Sequence, residues 1–243
     1  MTALGFLYPG HSAEDDYPRI EQLLGSDIRL TVVHTDEEDV HRTEALPGAG
    51  PARSLAAGVE ELRLSGAEAV VWACASDSSA QGAQGAHDQV RDLARTAGLP
   101  ASSTSFAFTH AAREIGAARV AIGTTRPDDV AALFAAFLEE TGTEVAAVRG
   151  AGAVATAGTA DWDYDRVLAL AREADHPDAG AVLLPDTALH TVSHLTALEK
   201  DLAKPVLTAA QVTVWEALRL ADRRVNAPAL GTLFTREPIV QAE

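Results

Sequence analysis

The fold is decided by residues 69–76, AVVWACAS, in which an apolar strand runs directly into a small polar turn. The same plan returns at residues 181–188 as AVLLPDTA. Two further pairs follow in the same chain order: residues 100–115 (PASSTSFAFTHAAREI) match residues 205–220 (PVLTAAQVTVWEALRL), and the strand ending at Tyr8, Pro9 and Gly10 matches residues 120–123. Three matches in one order predict a duplicated α/β unit.

Short β-rich runs alternate with helical patterns along the whole chain. Strands are predicted at residues 4–8, 28–34, 70–73, 102–104, 120–123, 144–148, 181–184 and 206–208. Most of these runs are continuously apolar, which is typical of parallel strands covered on both faces. Helical spacing is present at residues 55–62 and 90–97, and helices are predicted at 164–173, at 212–221 and from Pro127 onwards.

These elements predict two pseudo-symmetric Rossmann-like α/β domains, each a parallel sheet flanked by helices, with the active-site cleft between them. The first domain is predicted to combine residues 1–110 with residues 212–243. The second is predicted to cover residues 111–211.

Composition narrows the classes of partner. The chain has 243 residues, 47% of them hydrophobic, and 19 basic against 35 acidic residues give a net charge of −16. Such a chain repels nucleic-acid backbones and anionic membranes. No apolar run approaches the ~18–20 residues that span a bilayer, the first residues lack a basic leader, and the single cysteine excludes an intrachain disulfide. A cytoplasmic protein is expected.

Cys74 and Asp186 stand at equivalent strand ends of the two repeats. Because ligands bind beyond the carboxyl ends of parallel strands, the two side chains are predicted on opposite walls of one cleft. A thiol at the start of a helix meets oriented N–H groups that lower its pKa and favour the thiolate. The alternative for Cys74 is a buried structural cysteine.

Asp186 has two interpretations that do not exclude each other. It could be the N-cap of a helix, or an acid/base group whose pKa is raised because the cleft is dry and a thiolate lies near. A third interpretation of Asp186 is a metal ligand, since the spacing of Asp186, His190 and His194 would place them on one helical face. The last of these residues would lie ~12 Å from the first along the axis, too far for one ion, so no metal is predicted.

Hydroxyl residues at successive strand ends are predicted to hold a carboxylate without a basic patch, together with main-chain amides. They are Ser12, Ser76, Thr124, Thr125 and Thr187. Arg126 could add one local cation, although an exposed arginine at a helix start is the favoured interpretation. Gly150 and Gly152 do not continue into a dinucleotide-binding motif.

The sequence resembles the aspartate/glutamate/hydantoin racemase superfamily, in the branch of maleate cis-trans isomerase and arylmalonate decarboxylase. The resemblance lies in residues 5–9, 73–76, 100–104, 119–124, 180–191 and 205–221. It implies two pseudo-symmetric domains, no cofactor, and one or two cysteines acting on a small carboxylic acid. Cys74 matches the first cysteine position, and Asp186 stands at the second. The same segments imply that Pro9 and Ala75 contribute to the substrate site.

The leading hypothesis is a cofactor-independent isomerase or racemase of a small carboxylate or dicarboxylate, similar to maleate isomerase. In it, Cys74 attacks the double bond or removes the proton next to the carboxylate, and Asp186 moves a proton at the other face. The first alternative is an arylmalonate-type decarboxylase with Cys74 as proton donor. The second is a carboxylate-binding protein without turnover. The oligomeric state, including a homo-oligomer, is left open.

Overall fold

The structure is a computed structural model that describes residues 1–9, 12–25, 27–35, 52–152 and 158–235. Within these residues, the first half of the element order contains four strands and five helices, the second half four of each, and two short 3-10 helices follow. In chain order they are β1 (Thr2–Pro9), α1 (Asp16–Leu24), β2 (Ile28–Thr35), α2 (Ala52–Leu64), β3 (Ala69–Trp72), α3 (Ala75–Ala80), α4 (Gly82–Ala97), β4 (Ala101–Ser103), α5 (Thr104–Ile115), β5 (Arg119–Thr124), α6 (Asp128–Glu140), β6 (Glu144–Gly150), α7 (Tyr164–Ala174), β7 (Ala181–Leu184), α8 (Leu195–Leu202), β8 (Val206–Thr208), α9 (Ala209–Leu220), and the 3-10 turns Pro228–Leu230 and Thr232–Phe234.

The strands form two parallel sheets with the same internal order. The first runs β2-β1-β3-β4 and the second β6-β5-β7-β8. In each sheet the strand before the predicted site residue, β3 or β7, therefore occupies the same place. The predicted fold class, two parallel α/β sheets flanked by helices, is confirmed, whereas the domain boundaries stay a prediction.

Burial explains why β3 and β7 lack the alternation of a half-exposed strand. Val71 and Leu183 face one large core that is shared by both halves, and their neighbours face separate outer cores. In the first half, Trp72 and Cys74 pack with Leu62 of α2. Every residue of β3 and β7 is buried, as continuous apolar runs predict for strands with helices on both sides.

Some predicted boundaries shift by a residue or more. The strand predicted at residues 102–104 ends at Ser103, whose side chain accepts a hydrogen bond from the Phe106 amide and starts α5 at Thr104. Helices α1, α5 and α8 were not predicted. Helices α1 and α8 are short and each buries only part of its surface, whereas α5 is buried along most of its length and lacks the spacing of a half-exposed helix. Among the described residues, no helix combines the length and apolar character that crossing a membrane requires.

Candidate active site

Cys74 is the last extended residue after β3 and the N-cap of α3. Cys74 is 6% exposed, and its Sγ lies 3.5 Å from Oγ of Ser76. Burial raises the pKa of the Cys74 thiol, and this outweighs the Ser76 hydroxyl and the amides of Ser76 and Asp77, which lower it. The helix start was predicted correctly, but the expected fall in pKa was wrong, because the thiol is withdrawn from water.

Asp186 lies two residues beyond β7 and its carboxylate is surrounded by donors. The hydroxyl of Thr124 donates to Oδ1 over 2.9 Å, and the amide of Thr125 donates to Oδ2 over 2.7 Å. Nε of Arg126 lies 3.9 Å from Oδ1. Burial raises the pKa of Asp186, although these donors act in the opposite direction. The expected rise in the pKa of Asp186 is thus confirmed with desolvation as its cause, whereas the nearby thiolate that was expected to add to it does not contribute.

The helix expected to follow Asp186 does not form. Residues 187–194 make turns, and α8 begins only at Leu195. The N-cap interpretation was therefore wrong, because Asp186 caps the turn that follows β5 instead. The shared helical face of Asp186, His190 and His194 was wrong for the same reason. Within the described ranges, no group of three His, Cys, Asp or Glu residues is arranged to hold a metal ion.

The turns after β3, β5 and β7 meet at one pocket that is partly open to solvent, and the space between its walls, open solvent included, is about 500 Å³. Seven predicted site residues line it: Ala75, Ser76, Thr124, Thr125, Arg126, Asp186 and Thr187. A further part of the wall is apolar and comes from Ile122 of β5 and from Val130 and Phe134 of α6. The pocket thus combines polar turns from both halves with an apolar side.

Three predicted site residues are not among the described residues that line this pocket. The Sγ of Cys74 lies 3.5 Å from Oγ of Ser76, which does line it, and the predicted place of Cys74 on the wall opposite Asp186 stays a prediction. Pro9 ends β1, and Ser12 follows it with its carbonyl oxygen against the hydroxyl of Tyr8. Gly10 and His11 lie outside the described residues. The roles of Pro9 and Ser12 stay predictions.

Arg126 is not the exposed arginine that was favoured. Its side chain is only 15% exposed and turns towards Asp186. Gly150 permits this arrangement, because a Cβ at that position would lie 2.6 Å from the carbonyl oxygen of Arg126 and 2.7 Å from Oδ1 of Asp128. Gly150, the last residue of β6, therefore allows the Arg126 turn to pack closely, which the sequence alone did not indicate.

Tyr8 is a buried residue that was predicted as part of a strand and was given no role in the site. Its ring is edge-on to Tyr17, with centroids 5.8 Å apart. Its hydroxyl lies between the carbonyl oxygens of Ser12 and Thr187, 2.7 Å from the latter. The phenol therefore joins the turn after β1 to the turn that carries Asp186. In the sequence, the feature that could have indicated this role is a tyrosine at the carboxyl end of a buried strand.

Comparison with known proteins agrees with this architecture. The family model for arylmalonate decarboxylase matches residues 52–234. Arylmalonate decarboxylase from Bordetella bronchiseptica is 32% identical over 140 residues, and this match covers 56% of the chain but only 58% of that relative.

Solved structures of both enzyme types in the predicted branch share the fold. One is a liganded arylmalonate decarboxylase in which a glycine is replaced by cysteine and a cysteine by serine; it is 26% identical, with a TM-score of 0.81 over 96% of this chain and 99% of that one. Another is maleate cis-trans isomerase from Nocardia farcinica with a covalently bound succinylcysteine intermediate, 20% identical, with a TM-score of 0.86 over 98% of this chain and 99% of that one. The second likeness concerns the fold alone. Since the family model spans most of the sequence and the paired sheets agree with it, the chain belongs to the arylmalonate decarboxylase family.

Proposed function

We propose that this chain is a cofactor-independent decarboxylase of a substituted malonate, with Cys74 as the proton donor. The observation that carries the proposal is the position of Asp186. Its carboxylate accepts hydrogen bonds from the hydroxyl of Thr124 and the amide of Thr125, and Arg126 lies beside it. These groups of the second half, which could have bound a substrate carboxylate, therefore already face a carboxylate of the protein itself.

This occupation favours a malonate over maleate as substrate. Maleate carries two carboxylates that persist through isomerisation, and both need hydrogen-bond donors when they leave water. One of them would have to displace Asp186 or meet its charge. A malonate needs donors for the carboxylate that it keeps, whereas the group that leaves becomes neutral CO₂. The apolar wall of Ile122, Val130 and Phe134 suits that departure and an apolar substituent on the substrate.

The state of the thiol supports the same reaction. Because burial raises the pKa of Cys74, the group is a protonated thiol at neutral pH, which makes it an acid rather than a thiolate nucleophile. In the proposed step the bond between the α-carbon and one carboxylate breaks, CO₂ leaves, and the electron pair remains as an enediolate. The thiol proton then moves to the α-carbon, and solvent later returns a proton to the sulfur.

Ser76 is the residue that would connect the thiol with the substrate. Its hydroxyl lies 3.5 Å from Sγ of Cys74, and the residue lines the pocket together with Thr187. A hydroxyl and main-chain amides aimed at the retained carboxylate stabilise the charge that develops on the enediolate. No basic patch is needed for this, which agrees with a net charge of −16.

In the decisive experiment, the protein is incubated in D₂O with phenylmalonate and, separately, with maleate. We expect CO₂ and singly α-deuterated phenylacetate from the first and no reaction of the second. Cys74→Ala and Cys74→Ser should each slow decarboxylation by about 10²-fold or more, which is the range of general acid catalysis. Asp165→Asn, an exposed substitution in the first turn of α7, is the matched control and should retain the rate.

An isomerase or racemase is the second candidate, and the carboxyl of Asp186 favours it. Burial raises the pKa of Asp186, so the group could exchange a proton with a substrate carbon from the pocket wall. Formation of fumarate from maleate, or deuterium exchange without CO₂ release, would establish this candidate and overturn the decarboxylase. Saturable binding of phenylmalonate without conversion of either compound would reject both enzyme candidates and support the carboxylate-binding protein without turnover.

A further inference from the structure

The segment that follows Asp186 is fastened to the first half of the chain by the β1–α1 region. Asp16, the first residue of α1, accepts hydrogen bonds from the amide of Thr191 over 2.9 Å and from the amide of Val192 over 3.2 Å. Both bonds go to one oxygen, Oδ2. These contacts join residues 175 and 176 positions apart in the sequence, so they can form only when the two halves are correctly placed.

Asp16 is built into this position rather than resting on the surface. The residue is 4% exposed, and Thr191 and Val192 are 1% and 3% exposed. A buried carboxylate requires hydrogen-bond partners, and main-chain amides that donate to a charged acceptor make strong bonds. The hydroxyl of Thr191 has no partner among the described residues, and its carbonyl oxygen accepts a bond from the nearby amide of His194, so the bond of its amide to Asp16 is its polar contact with the first half of the chain.

Two neighbouring contacts support the same segment. The hydroxyl of Tyr8 lies 2.7 Å from the carbonyl oxygen of Thr187. The ring of His190 is bonded through Nε2 to Asp15 and through Nδ1 to the carbonyl oxygen of Ala160, 2.8 Å away. The turns of residues 187–192 contain no helix or strand of their own. Besides local turn bonds, the segment is held by hydrogen bonds to the first half of the chain, and those to Asp16 are the most buried of them.

We infer that Asp16 is a positioning residue, which holds residues 187–192 so that the adjacent Asp186 stays against Thr124 and Thr125. Its effect on the reaction rests on the proposed function, because Asp186 and Thr187 line the pocket assigned to the substrate. Its effect on the position of Asp186 does not depend on any substrate. The amide of Thr125, which donates to Asp186, reports that position directly.

The test measures amide hydrogen exchange by NMR in the wild type and in Asp16→Ala, Asp16→Asn and Asp165→Ala. Loss of the acceptor in Asp16→Ala should speed exchange at Thr191 and Val192 by roughly tenfold or more. If Asp16 acts through Asp186, exchange at Thr125 rises as well, although Thr125 is not bonded to Asp16. Asparagine keeps a neutral acceptor, so Asp16→Asn should give smaller increases at all three amides, and Asp165→Ala should match the wild type.

Faster exchange at Thr191 and Val192 with unchanged exchange at Thr125 would overturn the inference, and the same criterion applies to Asp16→Asn if Asp16→Ala does not fold. The second readout is kcat/KM for phenylmalonate per folded molecule. It should fall by about tenfold in Asp16→Ala and recover in large part in Asp16→Asn. A wild type that does not convert phenylmalonate, with the exchange pattern intact, would reject the proposed function and leave the positioning role standing.

Discussion

The reactivity of Cys74 towards iodoacetamide, measured as a function of pH, tests whether the thiol is an acid or a nucleophile. An ordinary cysteine has a pKa near 8.5, so about 3% of it is thiolate at pH 7. Burial raises the pKa of Cys74 above its usual value, and the residue is only 6% exposed. Its thiolate fraction at pH 7 is therefore below about 3%, and limited access slows the reagent further.

We expect alkylation of the folded protein at pH 7 to be at least about tenfold slower than that of the same chain in urea. The rate should rise about tenfold for each pH unit and continue to rise beyond pH 8.5. The label is unambiguous, because the chain contains one cysteine. Ser76→Ala removes a hydrogen bond that lowers the pKa of the thiol, so its profile should move to higher pH. A wild-type rate that reaches its plateau below pH 7.5 would refute the proton-donor assignment and favour a thiolate nucleophile.

Further predictions concern stability. Burial acts to raise the pKa of Glu216, but its bonds to Arg219 and His110 together outweigh burial and lower the pKa to about 2. Its contribution to stability is therefore present above the unfolded pKa and is lost as pH falls towards 2. Glu216→Gln should cost about 3 kcal/mol in urea unfolding at pH 7 and much less near pH 2, and an equal cost at both pH values would contradict the pairing. Asp186 behaves in the opposite sense, since its raised folded pKa gives a contribution to stability that is present at low pH and is lost as pH rises. The unfolding free energy of Asp186→Asn should therefore rise relative to that of the wild type as pH increases from about 4 to about 7. A constant difference in unfolding free energy would count against the burial argument. Gly150→Ala should lower the unfolding free energy by about 1–3 kcal/mol, because its Cβ would meet the Arg126 carbonyl at 2.6 Å, and an unchanged Tm would show that the turn gives way freely.

The sequence was sufficient for the fold because its strongest signals are local. Continuous apolar runs at β3 and β7 require helices on both faces, and the repeated strand-turn pattern requires equivalent places in two sheets. The hydroxyl residues Thr124 and Thr125 were identified for the same reason, since a strand end is visible in the sequence.

Properties that depend on distant partners were not predictable in the same way. Arg126 follows β5 like many exposed arginines, and only the folded chain brings it beside Asp186. The helix start at Cys74 is a local feature, but the sign of its pKa shift is decided by the packing that removes the thiol from water. Asp16 had no local signal beyond an acidic first turn, because its partners lie 175 and 176 positions away.

The turn after β7 carries a carboxyl group at the place where the turn after β3 carries the only cysteine of the chain. Two thiols facing one pocket can be joined by an oxidant, which closes the site with a covalent bridge. Peroxide that reaches Cys74 finds no second thiol in this chain and converts the thiolate to a sulfenic acid, which a small thiol can cap and a second small thiol can release. Mild oxidation of Cys74 is therefore reversible by small thiols, until a further oxidation step converts the sulfur to the sulfinic acid.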